Sequence, residues 1–254
     1  MISIKSAKEI EYMRDAGKII VLIFDELHKI IRPGISTLEL DKVAEKLIKL
    51  HSGIASFKGY GGLPGSIRFP GSICSSINSE VVHGIPDSNV KLVEGDIVSI
   101  DVGVALNGYH ADAARTYGVG KINPLAAKLI KVTEECFFKG IKFAKSGLHI
   151  SDISGAIQDH VESQGFSVVR DYVGHGIGRK LHEDPAVPNY RAPGKGPKLY
   201  AGMTLAIEPM VNQGDYEVDL LKNKWTVITA DGSLSAHYEN TIAITNKEPI
   251  VLTI

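Results

Sequence analysis

The sequence predicts a mixed α/β (α+β) fold in which two similar halves, roughly residues 1–120 and 121–254, form one domain around one core. Three observations predict it. Two capping boxes, Ser6-x-x-Glu9 and Ser36-x-x-Glu39, open a long and then a shorter amphipathic run in the first half. A second long-then-short pair of helical runs begins at Asn123-Pro124 and at Ser151. Each pair is accompanied by an apolar strand leading from a glycine to an acid, GDIVSID at Gly95 to Asp101 and GMTLAIE at Gly202 to Glu208. HGIP at His83 likewise answers HGIG at His175. Helices and strands also mimic one another in unrelated chains, but recurrence of the whole plan points to duplication, with a site expected between the halves.

The elements follow in order. Ile10, Met13, Ile20, Val21, Phe24 and Leu27 recur at mostly helical spacing until Pro33-Gly34, which predicts a helix over 6–32. After Ser36, Leu40, Val43, Ala44, Leu47 and Leu50 share one face, and Gly53 ends that helix. Asn107-Gly108 is the favoured dipeptide of a two-residue type I′ turn, so Leu106 should pair with Tyr109 and Gly103 with Asp112. In the second half a helix is expected from Pro124 to about Lys145, and a short one capped by Ser151 and stopped at Gly165. NYRAPGKGPKLYAG, residues 189–202, is rich in Gly, Pro and Lys and reads as an ordered or mobile surface loop too short to separate domains.

Composition narrows the function. With 254 residues, 44% of them hydrophobic, the chain can fill a core, which excludes disorder and collagen-like repeats. Its 28 Lys and Arg against 29 acids leave a net charge of −1, so neither nucleic acid nor an anionic membrane is an expected ligand. Two cysteines, Cys74 and Cys136, make no disulfide framework or zinc-finger spacing. The N-terminal stretch is charged every few residues, unlike a signal peptide, and no apolar run approaches a membrane span. The expectation is a soluble, uncleaved cytoplasmic protein.

Asp101 and Glu208 stand in apolar strands, where an ionised carboxylate needs a cation or several hydrogen bonds. A structural ion pair would serve for either acid alone. The hairpin register, however, projects Asp101 and Asp112 from one face as diagonal neighbours, with room beside them at Gly103, and turns Arg115 to the other face. Two converging carboxylates repel unless a proton or a cation lies between them, and a metal is the better candidate. Glu208, Glu239 in SAHYENTIAI and His175 in YVGHGIGRKLHEDP offer further donors. Such a mainly oxygen set suits Mn, Fe(II) or Co, and four carboxylates suit two ions that share bridging acids and activate water for hydrolysis. Taken alone, a histidine in HGIG is more often a turn residue, and Cys74 is more often a small core or pocket-lining residue than a nucleophile. His28, His51 and His160 read as ordinary helix residues. His182-Glu183 lacks the second histidine of a zincin helix, and no nucleophile elbow, phosphate loop or dinucleotide fingerprint is present.

With PGISTLELD, SFKGYGG, NSEVVHGIP, GDIVSIDVG, YVGHGIGRKLHEDP, AIEPMV and KWTV in order, the sequence resembles the type I methionine aminopeptidases, in their bacterial form without N-terminal extension. The match spans nearly the whole chain. It implies the pita-bread fold, two pseudo-symmetric halves with an antiparallel sheet core covered by helices. It also implies removal of the initiator methionine from nascent chains whose second residue is small. By the same resemblance two divalent ions (Co, Mn, Fe(II) or Zn) would bind at Asp101, Asp112, His175, Glu208 and Glu239. Asp101 would hold one ion, His175 and Glu208 the other, and Asp112 and Glu239 would bridge. A shared water or hydroxide would be the nucleophile and Glu208 the general base, while His182 would stabilise the oxyanion. His83 would contact the scissile amide. Tyr60, Cys74, Leu181 and Trp225, with Phe57 nearby, would line the methionine pocket, although core packing is the plainer reading of Trp225. The implied partners are N-termini of nascent polypeptides, near the ribosome, and the implied state is a monomer.

Three departures from the family pattern stand out. LPGSIR at 63–68 is followed directly by FPGSIC at 69–74, so one copy looks inserted beside the pocket; either Leu63 or Phe69 faces the methionine, and Arg68 should lie on an exposed bulge. His237 stands where Gln is common, and Asn240 where His is common. Both positions adjoin Glu239 and are expected to affect the surroundings of the metals. Proline-specific peptidases of the same fold and a non-catalytic peptide-binding relative are the rival readings.

Overall fold

The computed structural model describes residues 2–61 and 67–254. Among the described residues, four α-helices cover antiparallel sheets: α1 (Ala7–Ile30), α2 (Thr37–Leu50), α3 (Pro124–Gly140) and α4 (Ile150–Ser163). Both capping boxes form. The backbone N–H of Ser6 donates to Glu9 Oε2 at 2.8 Å and that of Ser36 to Glu39 Oε2 at 2.8 Å, so each first turn loses an orphan donor. In the second half the boundaries differ from expectation. α3 stops at Gly140, and a 3₁₀ turn, Ile141–Phe143, carries the chain onward. α4 starts from His149, not Ser151, because Asp152 accepts from the His149 N–H at 2.8 Å and so sets the first turn earlier.

The hairpin Ile97–Leu106/Tyr109–Gly118 has the expected register, with Leu106 opposite Tyr109 and Gly103 opposite Asp112. Its turn residues have the positive φ a type I′ turn demands, 53° at Asn107 and 78° at Gly108. Cys74–Ile77 pairs along the other side of Ile97–Leu106 and sets Cys74 opposite Asp101. In a second sheet Thr204–Ile207 lies between Asn240–Ala243 and Gly174–Gly176, with Glu183–Val187 beyond. The two sheets touch at one seam. Glu239 N–H donates to Ala114 O at 3.0 Å and Ala114 N–H to Glu239 O at 3.3 Å. Two residues further along each strand, Thr241 Oγ1 donates to Asp112 O and accepts from Asp112 N–H, each at 2.9 Å.

Apolar side chains gather on the outer faces of these sheets. Ile20, Ile23 and Leu40 from α1 and α2 pack on Ile100 and Val102 of the hairpin. Leu129, Phe137 and Ile153 from α3 and α4 pack with Leu205 and Ile242. Each such side chain, fully buried, contributes about 1.5–3 kcal/mol, so the helices clamp both sheets and leave their opposite faces to the site.

One helix glycine is required by contact. A Cβ on Gly17 would lie 2.0 Å from Leu252 O, a backbone atom. Glycine to alanine inside a helix ordinarily stabilises by about 1 kcal/mol; here overpacking, about 1–3 kcal/mol, reverses the sign. We therefore expect Gly17→Ala to lower the urea midpoint, and a midpoint at or above wild type would contradict this packing.

One further expectation is corrected: Glu208 lies just past the strand Thr204–Ile207 rather than within it, since Pro209 has no N–H to continue the ladder. His175 is a strand residue. Of the two readings of 189–202, ordered or mobile, the structure shows an irregular but pinned segment: Asn189 is fully buried with Nδ2 donating to Glu208 O at 3.1 Å, and Leu199 is also buried.

Candidate active site

The seam between the sheets brings Asp101, Asp112, His175, Glu208 and Glu239 to the wall of one cavity of about 370 Å³. Asp101 and Asp112 come from the two strands of the hairpin, His175 from the strand beside Thr204–Ile207, Glu208 from its end, and Glu239 from the residue before Asn240–Ala243. Donor atoms of Asp112, His175 and Glu239 lie within 4.8 Å of one another. His175 Nε2 stands 3.4 Å from Glu208 Oε1. Asp101 Oδ1, Asp112 Oδ1 and Glu239 Oε1 are buried with no hydrogen-bond partner. Such acids are costly unless a cation neutralises them, so the residues present fit a divalent metal centre.

Electrostatics agree. Burial pushes the Asp101 carboxyl up to about 7, and the hydrogen bond from Asp112 opposes that rise. Burial and then neighbouring negative charge push Asp112, Glu208 and Glu239 well above the usual carboxylate range. The acids thus compete for protons where no cation compensates them. Burial, and then His182, lowers His175 to about 4, so its ring is neutral at pH 7. With Nδ1 2.9 Å from Gly176 O, Nδ1 carries the hydrogen and the Nε2 lone pair faces the acids.

Arg115 does turn away from the carboxylates, as expected. Its guanidinium lies between the rings of Phe24 and Tyr238 and donates to Glu239 O at 2.5 Å and to Asn240 Oδ1 at 2.7 Å. Asn240 also accepts from Thr253 Oγ1 at 2.8 Å. The Asn240 side chain therefore acts behind Glu239, not in the cavity.

The other wall is apolar and aromatic: Phe57, Phe69, Cys74, Leu181 and Trp225, with Tyr60 at the rim. The room expected at Gly103 is filled, since a Cβ there would lie 2.9 Å from the Phe57 ring and from Ser56 Cβ. Burial and the nearby acids raise the Cys74 thiol, which stays protonated and lines the wall. Trp225 packs edge-on against Phe69, 5.2 Å between centroids, and donates Nε1 to Ile67 O at 3.0 Å. Phe69 is buried on this wall, while Leu63 and most of the first hexapeptide copy lie outside the described residues. Arg68 is exposed and donates to Gly59 O at 3.1 Å.

His182 and His83 also reach the cavity. His182 Nδ1 hydrogen bonds Tyr60 Oη, and its ring lies 4.3 Å from that of His175. His83 has φ of 61°, an uncommon region for a side-chain-bearing residue, and faces the rings of Tyr172 and Trp225. Burial lowers His83 to about 4, and it too is neutral at pH 7. Sequence reasoning missed Tyr172 and Met210, both on this wall. Their only signal was membership of YVGHG and EPMV, a few residues from candidate ligands.

A model of metallopeptidase family M24 matches residues 11–246. The chain belongs to metallopeptidase family M24. It is 58% identical over 254 residues to a methionine aminopeptidase of Clostridium acetobutylicum, covering 100% of this chain and 99% of that relative. The crystal structure of methionine aminopeptidase from Thermotoga maritima superposes with a TM-score of 0.95 at 46% identity, covering 100% of this chain and 99% of that one. A Xaa-Pro dipeptidase from Bacillus anthracis shares the fold alone, with a TM-score of 0.76 at 22% identity and 61% of its length covered. The mixed helices and antiparallel sheets are those of the family's pita-bread fold, and divalent metal use belongs to the family.

Proposed function

We propose that this chain is a metal-dependent aminopeptidase that removes the N-terminal methionine from nascent polypeptides whose second residue is small. One observation carries the reading: five donors, three of them with a buried and unpartnered carboxylate oxygen, converge on one side of a cavity whose other side is an apolar, aromatic pocket. The whole chain acts as one catalytic domain with halves at roughly 1–120 and 121–254.

In this reading Asp101 would hold one divalent ion, His175 and Glu208 a second, and Asp112 and Glu239, at the seam between the sheets, would serve both. The ions, Co, Mn, Fe(II) or Zn, would supply Lewis acidity at the scissile carbonyl and lower the pKa of water. Glu208, beside the attacking water, takes its proton. Tyr60 donates to His182 Nδ1, which leaves the Nε2–H of His182 to stabilise the oxygen that becomes negative. His83 stands beside the leaving nitrogen. Phe57, Tyr60, Cys74, Leu181 and Trp225 receive the methionine side chain, and sulfur against aromatic rings is favourable by about 0.3–1.5 kcal/mol. The free α-amine of the substrate lies toward the carboxylates. No helix among the described residues is long and apolar enough to cross a membrane. The chain works as a cytoplasmic monomer near the ribosome.

The test is mass spectrometry of peptide cleavage by protein stripped of metal and then given Mn, Fe(II), Co or Zn separately. Peptides beginning Met-Ala, Met-Lys, Leu-Ala and Ala-Pro are offered with an N-formylated Met-Ala control. Metal-dependent loss of methionine from free Met-Ala alone is the expected result. Cleavage of Ala-Pro instead would move the chain to the proline peptidases, and no cleavage with any metal would favour a binding protein.

A further inference from the structure

We propose that His237 is a positioning residue of the metal centre, its Nε2–H holding the Glu208 and Glu239 carboxylates in place for the ions. The inference rests on the metal reading above and extends it to a side chain outside the five donors.

His237 is 2% exposed, lines the cavity, and its Nε2 is buried without a hydrogen-bond partner. That atom is aimed between two acids, 3.9 Å from Glu239 Oε2 and 4.0 Å from Glu208 Oε2. The backbone behind it is fixed. Thr116 Oγ1 donates to His237 O and accepts from His237 N–H, each at 2.9 Å, and His237 pairs with Met210 in the strand register. The imidazole is thus delivered by a strand to a place where it meets carboxylate oxygens.

Two imidazoles flank Glu208, and their other contacts separate their roles. His175 is committed through Nδ1 to Gly176 O, so the Nε2 that it turns to Glu208 Oε1 is a lone pair fit for a metal. At the other oxygen stands His237 Nε2, and a neutral imidazole offers either a donor or an acceptor there. Carboxylate oxygens are acceptors only, so the donor form complements them. Ligating carboxylates are ordinarily held by such a hydrogen bond, which leaves the remaining oxygens for the ion. The present separations are too long for that bond, and a shift of about 1 Å closes it.

The experiment compares wild type with His237→Leu, which removes the donor while keeping bulk, and His237→Gln, which restores an N–H from an amide. Each protein is stripped of metal, its folding checked by thermal denaturation, and titrated with Mn(II) by calorimetry. The visible spectrum of each Co(II) form is also recorded. Expected is a 10- to 100-fold weaker Mn(II) affinity for His237→Leu, recovery to within about threefold of wild type for His237→Gln, and a Co(II) spectrum unchanged in His237→Gln. Wild-type affinity in His237→Leu would overturn the proposal. So would a His237→Gln protein as weak as His237→Leu with an altered Co(II) spectrum, which would make His237 a ligand. A wild-type chain that binds neither ion would instead remove the metal reading itself.

Discussion

Glu208→Gln is expected to keep the fold and to lose turnover by about 10²–10⁴-fold or more, because it removes a general base and a metal-facing carboxylate in one step. The amide has the shape of the acid, and Glu208 lies beyond the strand end, where no ladder hydrogen bond depends on its side chain. The variant also removes one of the buried acids whose burial and mutual repulsion raise their proton affinity. Stripped of metal, it should therefore unfold at a temperature no lower than that of the stripped wild type near pH 8, while metal-loaded wild type unfolds above both. Steady-state kinetics on a Met-Ala peptide and thermal denaturation of the three samples make the check. Turnover within tenfold of wild type would sink the role given to Glu208; a stripped variant that melts well below stripped wild type would show a structural role.

Local chemistry made part of this arrangement readable before any coordinates. Asn107-Gly108 admits one kind of turn, and a fixed turn fixes a register, so the facing of Asp101, Asp112 and Arg115 followed from two residues. Capping boxes are equally local, and both helix starts that rested on them were right. The start at Ser151 was wrong because a serine is a weaker signal than the Asp152 carboxylate that caps the helix two residues earlier. What sequence could not supply was contact across the seam. Nothing in TVITADGSLSAHYEN says that Thr116 will pin His237, or that Arg115 will reach round to the carbonyl of Glu239. The Gly, Pro and Lys composition of 189–202 announced a loop but hid Asn189, whose burial depends on the carbonyl of Glu208 lying opposite. Gly103 is the same case: a missing side chain predicted space, and the Phe57 ring, supplied by a distant segment, occupies it.

The strongest dependence on solution conditions should be that of the stripped protein on pH, and its sign can be worked out. The Asp101 carboxyl is raised to about 7 by burial, and Asp112, Glu208 and Glu239 are raised as well, whereas in the unfolded chain all four ionise near their ordinary values around 4. Between these values the folded state holds protons that the unfolded state has released, so folding stability falls as pH rises. The histidines work the other way. His83 and His175 are lowered to about 4 and His237 to about 3, chiefly by burial, so the unfolded state binds the extra protons below about pH 6.5, and there stability rises with pH. The two effects oppose each other up to about pH 7.5, below which the unfolded histidines are still partly protonated; from about pH 7.5 to 8.5 the histidines are neutral in both states and the carboxylates act alone. Each proton still held costs about 1.4 kcal/mol per pH unit, so the stripped protein should lose about 1–3 kcal/mol across that window. Metal binding requires the ionised acids and tightens as they deprotonate, so the gain in melting temperature on adding Mn(II) should grow over the same range. Calorimetric melting of stripped and Mn(II)-loaded protein at pH 7.5, 8.0 and 8.5 makes the comparison, with stripped Asp101→Asn as a control of flatter slope. A stripped wild type whose melting temperature stays level or climbs from pH 7.5 to 8.5 would mean that these acids are not held together in the folded chain.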